Sequence, residues 1–164
     1  MSTNRLSLCP AAEDDIDFLR LLYTDTRREE VAKWGWPVAQ QQVFLNMQFQ
    51  AQRQSYRAVY ANALDQIIHF DGSAIGRLMI AEETAALYLV DIALLSAYRN
   101  RGFGTELLRA LQRDCERQSL VLKLQVLAGN PAIRLYERLG FVRQSGDPMY
   151  SHMEWVPSPQ LETN

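Results

Sequence analysis

The sequence predicts a three-layer α/β domain built on a mixed sheet of six or seven strands. Three observations carry that expectation. Two long segments of helical period stand before residue 60. Strand-like segments then fill residues 66–95, folded once at a strong hairpin signal, after which helix, strand, helix and two short strands alternate up to residue 156. At 164 residues, one core suffices without a disulfide or metal staple, and no internal repeat marks a second domain. Residues 1–156 are expected to form a single domain, with 157–164, opening on Pro157-Ser158-Pro159, as a flexible tail.

Arg5 to Leu8 alternate as a first strand that Pro10 ends, and Glu13-Asp14-Asp15 suits the positive end of a helix from about Asp14 to Lys33. Ile16, Leu19 and Tyr23 give that helix its stripe, and Trp34-Gly35-Trp36-Pro37 breaks it into a loop with two large aromatics. A second helix covers about Val38 to Tyr56, with Phe44, Met47, Gln48 and Ala51 at helical spacing. The seven glutamines from Gln40 to Gln54 are interleaved with apolar residues, so they read as helix surface.

From Gln66 the period changes to that of strands. Ile67, Ile68 and Phe70 lead into Asp71-Gly72, a hairpin turn signal, and Ile75, Leu78 and Ile80 fit the returning strand. After a polar turn around Glu82-Glu83, Leu87 to Leu95 is apolar almost throughout and reads as a central strand interrupted by Asp91. A helix from about Gly102 to Gln118 gathers Leu107, Leu108, Leu111 and Cys115 on one face. Val121 to Leu127 is a strand, Pro131 opens a helix that stops at Gly140, and Phe141-Val142 and Tyr150 to Val156 supply two final strands.

Apolar residues at 48% and charged residues at 22% mark a folded globular chain, and 17 Lys+Arg against 19 Asp+Glu exclude a polybasic nucleic-acid binder. Two cysteines, Cys9 and Cys115, read as buried thiols rather than a disulfide framework. With no signal-peptide pattern and no run near the roughly 18 apolar residues of a membrane span, a soluble, cytoplasmic protein without membrane partners is expected. Two distant histidines and no clustered ligands argue against a metal, and neither cysteine suits a nucleophilic triad.

The most informative segment is Arg99-Asn100-Arg101-Gly102-Phe103-Gly104-Thr105, set between a buried strand and a strongly periodic helix. Its glycines let backbone approach an anion, and the first N–H groups of the helix point the same way, which suits a diphosphate; a simple tight turn is the alternative. The third glycine of a dinucleotide fingerprint and the Gly-Lys-Ser/Thr ending of an ATPase loop are both absent.

This Arg-x-x-Gly-x-Gly pattern resembles the coenzyme-binding loop of the GCN5-related N-acetyltransferase (GNAT) family. The likeness continues in Asn130-Pro131-Ala132 and Leu135-Tyr136-Glu137-Arg138-Leu139-Gly140-Phe141. It implies the acyl-CoA N-acyltransferase fold with a mixed, mostly antiparallel sheet, and acetyl-CoA as acyl-donor cosubstrate. By similarity, the main chain of Ile92, Ala93 and Leu94 takes the pantetheine arm, and Arg99, Asn100, Arg101, Gly102, Phe103, Gly104 and Thr105 take the diphosphate. Asn130 and Tyr136 match a coenzyme-contacting asparagine and tyrosine, six residues apart where seven is more usual. Ser96 stands where many relatives have proline, and Val90 stands near the glutamate base of some relatives.

The resemblance implies acetyl transfer to a primary amine in a ternary complex. A lysine-like amine starts near a pKa of about 10.4, so the site must lower that value or remove a proton. Asp91 is the carboxylate within the central strand: a base, an anchor for the ammonium, or simply a paired aspartate. Glu82, Glu83 and His69 are further candidates. An N–H near Leu94 would stabilise the developing oxyanion, and Tyr136 would protonate the leaving thiolate, or else is a core aromatic beside Leu135 and Leu139. Tyr23, Trp34, Trp36, Gln48, Tyr56 and His152 are candidate walls for a small-molecule or peptide amine. The competing functions are a coenzyme-binding sensor without efficient turnover, motivated by the missing glutamate, and, more distantly, a nucleic-acid module at Arg99, Arg101 and Phe103. A homodimer is compatible with the resemblance.

Overall fold

The computed structural model describes residues 5–144 and 146–159. Its elements, in chain order, are β1 (Leu6–Pro10), a 3-10 turn (Glu13–Asp15), α1 (Ile16–Ala32), α2 (Val38–Val59), β2 (Leu64–Phe70), β3 (Ser73–Glu83) and β4 (Ala86–Leu94). A second 3-10 turn (Ser96–Tyr98) leads to α3 (Phe103–Gln118), β5 (Val121–Leu127), α4 (Ala132–Arg138), β6 (Val142–Arg143) and β7 (Tyr150–Trp155). The seven strands form one sheet in the order β1-β2-β3-β4-β5-β7-β6. It is mixed: β4 pairs with β5 in parallel, whereas β1 with β2, β5 with β7 and β6 with β7 are antiparallel. Part of the expected tail, residues 160–164, lies outside the described residues.

The chain divides into two compact units, one of residues 1–79 and 91–101, the other of 80–90 and 102–164. In the first, Leu19, Phe49 and Ile67 form a buried cluster with Ile16, Phe18, Tyr23 and Ala74 against it. The Asp71-Gly72 hairpin is as expected, both residues having positive φ (51° and 81°), which matches the twist of the strands it joins. Two expectations need correction here. Pro10 pairs with Gln66 inside β1, which is tolerated because β1 ends the sheet order and a missing N–H there disrupts no further ladder. The inward residues of α2 are Leu45 and Phe49, while Met47 is 65% exposed, so the stripe is shifted from the one expected.

In the second unit, the broad apolar face of α3 is buried as expected, with Leu107, Leu108, Leu111 and Cys115 joined by Phe103. Burial pushes the Cys115 thiol above its ordinary range. Cys9, by contrast, is exposed on β1 rather than buried. The expected turn at Glu82-Glu83 is instead strand, and the chain reverses at Thr84-Ala85, where Ala85 has a φ of 60°. No helix among the described residues is long and apolar enough to cross a membrane.

Candidate active site

In β4, the parallel register with β5 runs from Ala86–Val121 to Leu89–Leu124 and stops there. β5 continues to Leu127 paired with β7, and β4 continues through Ile92, Ala93 and Leu94 with no β5 partner. On β3, Gly76 explains how this stretch is held. A Cβ on Gly76 would stand 2.2 Å from the Ala93 carbonyl oxygen and 2.9 Å from Leu94 Cδ2, a contact only glycine permits. The Leu95 N–H donates to the Ile75 carbonyl at 2.8 Å, so β3 carries the end of β4.

The segment after β4 is fixed from α1. Asp25 accepts from the Ser96 N–H at 2.7 Å and from the Ser96 hydroxyl at 3.0 Å, and its carboxylate lies 3.6 Å from the Arg99 guanidinium. Ser96 thus receives from a half-buried carboxylate the rigidity that a proline would supply from its ring. Arg99 also donates to the Leu94 carbonyl at 3.0 Å. Arg101 lies over the rings of Tyr98 and Phe70, at 5.3 and 5.6 Å.

The chain then turns sharply, with Asn100 at φ 59° and Gly102 at φ 84° in the left-handed region. Gly102 is the N-cap of α3, no side chain caps the helix, and the Glu106 N–H donates to the Gly102 carbonyl at 3.0 Å. The amides of Gly104 and Thr105 precede that bond. A Cβ on Gly102 would meet nothing within 4 Å, and one on Gly104 only Leu135 Cδ2 at 3.9 Å. Positive helix end, uncapped amides and unfilled space above two glycines fit an anionic diphosphate.

Asn130 places its side-chain oxygen on the Ala132 N–H at 2.9 Å, so part of its polar capacity caps α4. Tyr136 is buried and packs edge-on to Phe141 at 5.7 Å between ring centroids. His152 lies on β7, opposite Gln125.

Asp91 sits in a charged network that sequence reasoning missed. Arg77, on β3, is the buried charged residue among those described, and it donates through Nε and Nη2 to the two Asp65 oxygens, both at 2.8 Å. Its guanidinium also lies 5.3 Å from the Tyr56 ring centroid. Burial pushes the Asp91 carboxyl above its ordinary range; Arg77 opposes this by charge, Asp65 reinforces it, and hydrogen bonding from the Tyr56 hydroxyl and the Ile92 amide lowers it. Burial and the Asp91 charge likewise push the Tyr56 hydroxyl up. For Arg77, burial works against the charge, but the Asp65 hydrogen bonds and the surrounding negative charge more than offset it.

The other candidate wall residues of the first unit lie apart from this network in their contacts. Tyr23 accepts from Arg27 at 2.8 Å and tilts against Phe49. Trp34, Trp36 and Phe44 form a three-ring cluster with centroids 5.1 to 5.6 Å apart. Gln48 is half-buried on α2. His69 encloses an Nδ1 with no hydrogen-bond partner among the described residues, and Glu82 and Glu83 end β3.

The mixed sheet, the interrupted β4–β5 pairing and the uncapped glycine turn before α3 together define the acyl-CoA N-acyltransferase fold. The family model described as the acetyltransferase (GNAT) family matches residues 19–141, and the chain belongs to that family. Among solved structures it is similar to the PaiA N-acetyltransferase of Thermoplasma acidophilum in complex with coenzyme A, with 13% identity over 92% of this chain and 98% of that one, at a TM-score of 0.69. It is similar to the ribosomal-protein-S18-alanine N-acetyltransferase of Escherichia coli, with 21% identity, 97% and 98% coverage and a TM-score of 0.61. It is also similar to Naa50 of Arabidopsis thaliana in complex with the bisubstrate analogue CoA-Ac-MVNAL, with 18% identity, 92% and 97% coverage and a TM-score of 0.58. At these identities the likeness is one of fold. A search of the curated proteins gives no match.

Proposed function

We propose that this chain transfers the acetyl group of acetyl-CoA to a primary amine by direct attack in a ternary complex. One observation carries the reading: β4 runs on past its last β5 partner and leads, through the Ser96–Tyr98 turn, to a glycine turn whose helix start no side chain caps. Main-chain groups past the last β5 partner lack a β5 strand partner, although the Leu94 carbonyl accepts from Arg99 and the Ile92 amide donates to Asp91. Family membership supports the acyl chemistry. The coenzyme A complex of the Thermoplasma relative supports the donor.

When bound, the coenzyme supplies a thioester whose carbonyl carbon is open to attack by a neutral amine. Ile92, Ala93 and Leu94 hold the pantetheine arm through main-chain groups, and the Arg99–Thr105 turn holds the diphosphate. A β4 N–H near Leu94 stabilises negative charge developing on the carbonyl oxygen, where excluded water makes a fixed donor effective. Asp91 anchors the incoming ammonium or accepts its proton, directly or through water, and its raised pKa brings it closer to the amine than an ordinary carboxylate. The Tyr136 hydroxyl gives a proton to the departing thiolate and regains one from the amine nitrogen as the amide forms.

The acceptor side includes peptide N-termini, since the Escherichia coli relative acts on an alanine of a ribosomal protein and the Arabidopsis relative is held with a peptide-bearing analogue. Incubation with acetyl-CoA and a panel of peptides, polyamines and simple amines tests the reading. Thiol release matched by a product heavier by one acetyl group is expected; coenzyme binding with no acetylated product from any member would overturn it.

A further inference from the structure

The charged network of the first unit is open on one side to a cavity of about 420 Å3, a volume in the range of small-molecule sites. It lies between the last turns of α2 and the stretch joining β1 to α1, and Arg77 forms part of its wall. Asp65 occupies Nε and Nη2 of that guanidinium. Nη1 makes no hydrogen bond among the described residues and is not one of their buried unpartnered polar atoms.

Two further guanidiniums, Arg53 and Arg57, line the same cavity from successive turns of α2. Neither makes a hydrogen bond or an ion pair among the described residues; Arg53 lies over the Phe49 ring at 5.9 Å. The carboxylates facing them are Glu13 and Asp65, and both Asp65 oxygens are already committed to Arg77. Arg77 is balanced by Asp65 and by the charge of Asp91, which leaves Arg53 and Arg57 facing Glu13. The remaining wall is apolar or aromatic, from Leu19, Met79 and the edge-on rings of Tyr56 and Tyr60.

We propose that this cavity binds a small organic monocarboxylate. Its carboxylate meets Arg53, Arg57 and the spare Arg77 donors, and its hydrocarbon body lies against Leu19, Met79 and the tyrosine rings. A monoanion fits better than a dianion, because the carbonyl end of α2 faces the same region and opposes additional negative charge. None of the residues assigned to the coenzyme lines the cavity, and Tyr56 and Arg77 of its wall also act on Asp91.

The test is calorimetric titration of the full chain with hexanoate, hexanamide and inorganic phosphate, in wild type, in an Arg53→Ala/Arg57→Ala double variant and in Arg57→Gln. Saturable hexanoate binding at least about tenfold tighter than hexanamide or phosphate is expected, as for loss of one charge-assisted contact. The double variant is expected to lose it by a similar factor, with an unchanged circular dichroism spectrum. Arg57→Gln, a single change at an exposed helix position, makes the same comparison if the double variant fails to fold. Equal affinity for hexanoate and hexanamide, phosphate binding as tightly as hexanoate, no saturable hexanoate binding, or undiminished binding in a folded arginine variant would each overturn the proposal.

Discussion

Gly76 on β3 and Gly104 at the start of α3 are glycines for opposite reasons. At Gly76 the protein itself fills the space a Cβ would take, with a backbone carbonyl at 2.2 Å that has no rotamer by which to move aside. At Gly104 the nearest atom is a side-chain methyl at 3.9 Å, an ordinary contact. Glycine at the first position is a requirement of folding. At the second the fold makes no such demand, and the unfilled space suits a ligand. The same residue type thus marks scaffold at one position and space for the proposed ligand at the other.

The sharpest way to break that contrast is to make one substitution at both positions. Gly76→Ala is expected to destabilise the protein by about 3 kcal/mol, the upper part of the usual overpacking range. Gly104→Ala is expected to change stability by well under about 1 kcal/mol, since it also gains helix propensity. Urea unfolding of the two variants beside wild type measures both; similar losses at the two sites would erase the distinction.

The Asp65–Arg77 pair belongs to the scaffold side. Arg77→Met leaves a carboxylate without its bidentate partner, and a loss of about 3 kcal/mol is expected, reduced to the extent that water reaches Asp65. On the site side, Tyr136→Phe keeps the ring packed on Phe141 and removes only the hydroxyl. A turnover reduction of about tenfold, roughly 1.4 kcal/mol, is expected at unchanged coenzyme affinity. Full turnover across a pH series would return Tyr136 to a packing role alone.

Much of the scaffold is legible in the sequence because its causes are local. Asp71-Gly72, Gly102 and Gly140 mark turns whose positive φ the structure bears out, and the α3 stripe matches its buried face. The α2 stripe is displaced because glutamines and apolar residues are interleaved so evenly that several helical faces have similar apolar content. The contacts that define Ser96 and Asp91 have no local signature. Asp25 and Ser96 are 71 positions apart, and Arg77 and Tyr56 meet only once β3 and α2 are in place. Gly76, too, sits in an apolar strand where nothing nearby in sequence announces the Ala93 carbonyl.

The smallest effect concerns the proton. Asp91 binds its proton more tightly when folded, so between its ordinary pKa and the raised value the native state holds more protons than the unfolded chain. Its contribution to stability therefore falls as pH rises through that window. Asp91→Asn should remove this decline, seen as a flatter plot of melting temperature against pH. Tyr56→Phe removes a hydrogen bond that favours the ionised carboxyl, so the acid limb of turnover should move to higher pH. An unmoved limb would detach Tyr56 from Asp91 function.

The central claim, that the turn before α3 is built around a ligand rather than around the protein, is tested most directly by calorimetric titration of acetyl-CoA into wild type and Gly104→Val. Saturable binding by wild type is expected, weakened at least about tenfold, or roughly 1.4 kcal/mol, in a variant that melts within a few degrees of it. Equal affinity for acetyl-CoA in a folded Gly104→Val protein would contradict the account.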